Sequence, residues 1–288
     1  MKEKVVEKYW DYVALEAEEH EKKVRLEKWR KAARNWLADY ADKRAKDFVM
    51  NVVENIIKLK RSAKVLDVGC GPGKWTETFA KMGCTVTAID ISSKMIELAR
   101  KRLQKGKFEN VDFHLMSVSE LNFPDNVYDM VNCVTVLQHI FDEEKWEKAV
   151  YEMVRVAKPG GYILLFEMAP HFTLKRNTRH LRIRTMKKYI QEFQKAGANL
   201  VYWRAVDLSF PITFLGLRKY ASSFSRDVYY FLTRKNTFIS ADLLSLFSRI
   251  MVFLARPLDY KLGETPFAFL SIGKILLFKK LERIVYRK

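Results

Sequence analysis

Apolar positions change their period along the chain, and the change divides it into regions. Residues 1 to about 60 are charge-dense, with apolar residues at helical spacing: Trp29, Ala33, Trp36, Leu37 and Tyr40, then Phe48, Val52, Val53, Ile56 and Ile57. That spacing predicts two or more amphipathic helices in an N-terminal extension. At Ala63 the pattern becomes short apolar runs bounded by turn residues: AKVLDVG, TVTAID, VDFHLM, YDMVNCVTV and GYILLFEM. Between them lie helical stretches, WTETFAKM, SKMIELARKRLQ and DEEKWEKAVYEMVRVA. Strands alternating with helices predict βαβ units and a parallel sheet. Ser92 is placed to cap the helix after Asp90, and Pro159-Gly160-Gly161 to end one helix and open a strand.

Further on, MKKYIQEFQKAG reads as a helix, NLVYWRAVDL as a strand and FAFLSIGKILLFKKL as a final strand. Residues 211–265 separate those two strands, far more than a plain connection needs. They read as a helical insertion, a candidate substrate cap, with Leu243, Leu246, Phe247, Ile250, Met251 and Leu254 on one stripe. The expected organisation is a helical extension over 1–60 and an α/β domain over 61–288.

Candidate chemistry concentrates in AKVLDVGCGPGKW, a buried strand running through Gly69, Gly71 and Gly73 into a helix. Glycines suit such a turn because the backbone folds tightly and approaches a ligand closely. The next strand ends in Asp90, near the position where a carboxylate accepts hydrogen bonds from ribose hydroxyls. The glycines read G-x-G-x-G and not the G-x-G-x-x-G of dinucleotide sites, which favours a different nucleoside.

Together, VLDVGCGPG, VTAID, VYDMVNC and VAKPGGYILLFE make residues 61–170 resemble the class I S-adenosylmethionine-dependent methyltransferases. The resemblance implies a Rossmann-like, doubly wound, mostly parallel seven-stranded sheet whose last strand is antiparallel, and S-adenosylmethionine as cofactor. It implies that Asp67 and the loop Gly69, Cys70, Gly71 and Gly73 lie beside the methionine part. Asp90 would hold the ribose, Ile91 the adenine face, Ser117 and Val118 the adenine edge, and Cys133 would line the pocket. Similar enzymes often have Asp where Ser117 stands, so the adenine contact here is weaker or made by backbone. For Cys133 the plain alternative is a small buried hydrophobe; Trp75 and Tyr9 either cover the cofactor or pack.

Methyl transfer from a sulfonium needs alignment and exclusion of water, and a base only for acceptors that must lose a proton. His139, just past the fourth strand, is the first candidate base; Glu167 and His171, at the end of the fifth, are the second. Each has a structural alternative as a packed or loop residue. The His residues are dispersed, so metal-independent transfer is expected.

Composition narrows the rest. The net charge of +18 would attract phosphate, anionic lipid or an acidic substrate, without saying which. Seven Lys or Arg and no acid lie between His171 and Lys188. Three cysteines without a C-x-x-C pair argue against a disulfide or zinc framework and for a reducing, cytoplasmic setting. The N-terminus lacks the apolar core of a secretory signal, and no stretch is apolar enough to span a bilayer. Charged surfaces with few Gln also occur in proteins of thermophiles. A small-molecule, lipid-linked or sugar acceptor is the leading expectation, anionic character and contact with a membrane surface being compatible with it. An RNA methyltransferase is the alternative, although no RNA-binding module is recognisable. A non-catalytic interaction subunit is the third reading, against which the intact glycine loop counts.

Overall fold

The computed structural model describes residues 6–15, 45–104, 106–171, 181–206 and 273–282. The proposed cap at 211–265 and the stripe from Trp29 to Tyr40 lie outside these residues.

Seven strands form one sheet in the order β3-β2-β1-β4-β5-β7-β6. They are β1 (Lys64–Val68), β2 (Thr85–Asp90), β3 (Val111–Leu115), β4 (Tyr128–Val134), β5 (Ala157–Met168), β6 (Ala198–Ala205) and β7 (Gly273–Lys280). Strands β1 to β5 pair in parallel, while β7 runs antiparallel between β5 and β6. β1 reads Lys-Val-Leu-Asp-Val because it is central. Helices cover both of its faces, so apolar residues run almost without alternation.

Helices α1 (residues 6–15) and α2 (residues 45–51, continued by one wide turn over Val52–Ile57) precede the sheet. Helices α3 (Lys74–Lys81), α4 (Ser93–Gln104), α5 (Glu143–Val156) and α6 (Met186–Lys195) connect the strands. Two large buried clusters and a small one around Ala88, Ile96 and Ala99 fill the layers among the described residues. One packs α5 and α6 on the sheet through Trp146, Met153, Tyr189 and Phe193, with Phe193 stacked on Phe278 of β7 at 4.1 Å. The other packs α2 and α3 on the opposite face through Phe48, Val49, Val52, Val53 and Phe79. The core therefore runs across the domain boundary expected at residue 60, because α2 supplies one wall of it.

Ser92 caps α4 as expected, its Oγ accepting the Met95 N–H at 3.1 Å. Pro159-Gly160-Gly161 does not form a separate stop. α5 ends at Val156 and β5 starts at once, and the three residues fall in the register shift where Tyr128 faces Ala157 but Met130 faces Tyr162. Gly160 takes φ +73° there. The last strand begins at Gly273; FAFLSI, assigned to it from sequence, lies outside the described residues.

Candidate active site

Strand order reverses at β1, whose neighbours β2 and β4 carry the chain away in opposite directions. A crevice must open at such a point, outside the carboxyl ends of the strands. Here it is a cavity of about 790 Å³.

The glycine loop forms its floor. Gly69, Gly71 and Gly73 take φ of +62°, +51° and +80°, a left-handed backbone that other L residues adopt only with strain. A Cβ on Gly69 would stand 2.3 Å from Val136 Cγ2, whereas one on Gly71 would meet no protein atom within 4 Å. Gly69, Cys70 and Gly71 line the cavity; Gly73 instead seats the start of α3 against Ala99 of α4. The space beside Gly71 is thus open to the cavity.

Asp90 closes the same side. Its Oδ2 accepts the Gly71 N–H and its Oδ1 the Ser92 N–H, both at 2.9 Å. Burial raises its pKa while the backbone N–H donors hold it down. Ile91, Ser117 and Val118 line the cavity beside it, where the resemblance placed the adenine.

Asp67 behaves differently. It is buried, and its carboxylate is held by Thr76 Oγ1 at 2.6 Å and Asn132 Nδ2 at 2.8 Å. Desolvation pushes its pKa up to about 6. It is not on the cavity wall; it ties β1 to α3 and β4 and so fixes the loop from behind. Thr76 and Asn132 carry no motif of their own, and only the register of Asp67 against Asn132 reveals the pair.

Across the cavity sits His139, at the end of a single turn over Leu137–His139. Its ring stands edge-on to Trp10 of α1, centroids 4.8 Å apart. Gln138 Nε2 lies 3.5 Å from His139 Nε2, with Gln138 Oε1 occupied by the Met168 N–H at 3.1 Å. The first candidate base is therefore brought to the site.

The second candidates are not. Glu167 is buried at 1% exposure, and its carboxylate accepts the N–H groups of Val136, Leu137 and Gln138 at 2.7, 2.9 and 3.2 Å. His171 packs edge-on to Trp203 at 5.3 Å and is not on the cavity wall. Cys133 is a correction too: it is fully buried in the core under α5 and α6, its thiol 4.0 Å from Glu167 Oε1. Successive residues of a strand face opposite sides, and the ones that reach the cavity are Val134 and Phe166.

Two more features were not visible in the motifs. α1 contributes Val6 and Trp10 to the wall, and Asp11 pins it, accepting from Ser92 Oγ and, at 3.4 Å, from the Lys94 N–H at the start of α4. Tyr9, by contrast, packs edge-on against Trp10 from outside the wall, while Trp75 lines it and also stacks on Phe79. The basic stretch also resolves partly. Arg184 pairs with Glu143 at 3.0 Å and lies over the Trp146 ring, Arg182 pairs with Glu143, and Lys188 with Glu147 at 3.0 Å. These three cations hold α5 and do not await an anion. Lys46, Lys74 and Lys145, from three different helices, line the cavity, as do Arg102, Glu77, Asp90 and Asp142. Among the described residues no group of three His, Cys, Asp or Glu could hold a metal ion.

Residues 65–161 match a family model described as a methyltransferase domain. This stretch, and the strand order around it, are similar to a class I methyltransferase domain. The chain is 36% identical to a demethylmenaquinone methyltransferase of Tropheryma whipplei, across 106 residues that are 37% of this chain and 42% of the relative. It is 36% identical to a ubiquinone biosynthesis O-methyltransferase of Thiobacillus denitrificans, across 118 residues that are 40% of this chain and 46% of the relative. The match thus spans less than half the length of these curated relatives. A solved [4+2]-cyclase, SpnF, has the same fold with a TM-score of 0.55 at 20% identity, covering 82% of this chain and 81% of that one. A methyltransferase-like fold therefore does not by itself specify the reaction.

Proposed function

We propose that this chain is an S-adenosylmethionine-dependent methyltransferase acting on an oxygen or nitrogen of a small-molecule acceptor. The observation that carries the reading is one cavity with a glycine loop and Asp90 on one side and His139 on the other. The open space beside Gly71 and the carboxylate of Asp90 fit the cofactor: Gly69, Cys70 and Gly71 would border its methionine part, Asp90 its ribose, and Ile91, Ser117 and Val118 its adenine. When bound, S-adenosylmethionine supplies an electrophilic methyl group.

The chain's own residues then have three tasks. Trp10, Trp75, Phe141 and Phe166 wall the cavity with apolar surface and exclude water. Lys46, Lys74, Lys145 and Arg102 on the wall, beside Glu77, Asp90 and Asp142, make an acceptor with anionic character compatible with the cavity. His139 takes the proton from a hydroxyl acceptor, with Trp10 packed edge-on against its ring. A largely apolar wall suits a small or lipid-linked molecule such as a quinone, the class named for the two relatives, better than a polynucleotide. Three buried free cysteines support a reducing compartment, the cytoplasm. Among the described residues no helix is long and apolar enough to cross a membrane.

The direct experiment is turnover with tritiated S-adenosylmethionine over a panel of phenols, quinols, sugars and amines. His139→Ala should lower kcat about 100-fold and leave the dissociation constant for S-adenosylhomocysteine within about twofold; unchanged kcat removes the base. Transfer proceeds without metal, so chelator should leave turnover intact, and loss restored by added metal would contradict this. A chain that binds no cofactor would point to the interaction-subunit reading. Binding of tRNA with a steep salt slope would point to RNA.

A further inference from the structure

We infer that Glu167 is a positioning residue, whose carboxylate holds the turn that presents His139 to the acceptor. The inference deepens the proposed methyltransferase reading and rests on it for His139's role; the geometry of the turn stands by itself. Three consecutive backbone N–H groups, of Val136, Leu137 and Gln138, converge on the two oxygens of one buried carboxylate. These donors begin the turn over Leu137–His139, where the first N–H groups have no carbonyl partner within the turn. An anion fits such a nest of donors far better than a neutral group.

The same turn is held by a second set of contacts. Its carbonyls are gripped from the opposite side, where the Arg182 N–H reaches the Gln138 carbonyl at 2.8 Å and Arg184 reaches those of Leu137 and Ile140 at 3.3 and 2.9 Å. Glu167 thus holds the donors and Arg184 the acceptors of one short segment, and His139 is its last residue. Other groups face Glu167 too: Cys133 from β4, Tyr189 from α6, and Lys274 directly across in β7. Burial raises the pKa of Glu167 to about 7, opposed by the three N–H bonds and by Arg184.

The sign follows from the donors. Ionised, the carboxylate can accept all three N–H groups; protonated, it becomes a donor on one oxygen and releases at least one of them. Order in the turn should therefore increase as pH rises through about 7. The test is NMR-detected amide hydrogen exchange, corrected for intrinsic rates, on the full chain between pH 5.5 and 8.5, in the unmodified protein and in Glu167→Gln. Protection at Leu137 and Gln138 should rise with pH in the unmodified chain. It should be lower, and without that step, in the variant, while Val131 in β4 stays equally protected in both. The variant's acceptor kcat should fall about 10-fold, the loss of about one charge-assisted hydrogen bond, with affinity for S-adenosylhomocysteine unchanged. Glu167→Asp, which keeps the charge on a shorter stem, should recover part of the protection. Equal protection in variant and unmodified chain overturns the inference, as does the absence of the step in the unmodified chain, which needs no variant to fold. Loss of protection without loss of turnover would spare the anchor and refute His139 as base, so the two readings fail separately.

Discussion

Replacing Asp90 with alanine is expected to weaken binding of S-adenosylmethionine by about 100-fold while the chain stays folded. The carboxylate binds two backbone N–H groups, of Gly71 and Ser92, and remains on the cavity wall with lone pairs to spare for ligand hydroxyls. Hydrogen bonds to a charged group contribute about 1.5–3 kcal/mol each, so losing the two that the ribose hydroxyls would donate amounts to about 3 kcal/mol or more, which is about two decades of affinity. Asp90→Asn keeps one acceptor and should fall between, near 10-fold. Calorimetric titration with S-adenosylmethionine and S-adenosylhomocysteine reads the affinity, and circular-dichroism melting checks the fold. Full affinity in a folded Asp90→Ala chain would remove the ribose assignment and with it the placement of the nucleoside.

The second large effect separates two neighbouring glycines. Gly69→Ala should cost about 3 kcal/mol of stability, because it combines a left-handed residue with a Cβ 2.3 Å from Val136 Cγ2. For a domain of this size that lowers the melting temperature by about 6–12 °C. Gly71→Ala carries only the backbone strain, about 1 kcal/mol, but sets a methyl group into the open space of the cavity. It should cost at least about 10-fold in cofactor affinity with only a few degrees of melting temperature. Thermal melts and titrations on both variants would show the crossing. If both lost stability equally and bound cofactor equally, the space beside Gly71 would not be a ligand seat.

How far the sequence revealed this site depends on how local each signal is. The loop from Gly69 to Gly73 and the carboxylate of Asp90 lie on short contiguous stretches, and a run of glycines after a buried strand has few meanings. The sheet was equally legible, since its period differs from that of the helices. Cys133 and Glu167 fail for a reason internal to strands: side chains alternate faces, so a shift of one position exchanges core for cavity. The strand ends were located correctly, and Val134 and Phe166 occupy the faces expected of their neighbours. Trp10, Ala45 and Lys46 were out of reach, because helical periodicity shows that a face is buried and not what it is buried against. The charges at Arg182, Arg184 and Lys188 looked available only while Glu143 and Glu147, some forty positions earlier in the chain, were not known to stand beside them.

Strand β7 carries a consequence for the birth of the molecule. It fills the gap between β5 and β6, yet residues 206–272 separate it from β6 along the chain. A ribosome delivers β5 and β6 well before it delivers β7, and until then each presents an unpaired edge bordered by apolar side chains. The cavity side, from β1 to β4, needs nothing from that late strand to pair. Nascent chains stalled before residue 273 should therefore hold a nearly complete cofactor half beside an adhesive, unfinished one, and it is the second that chaperones should be found to grip.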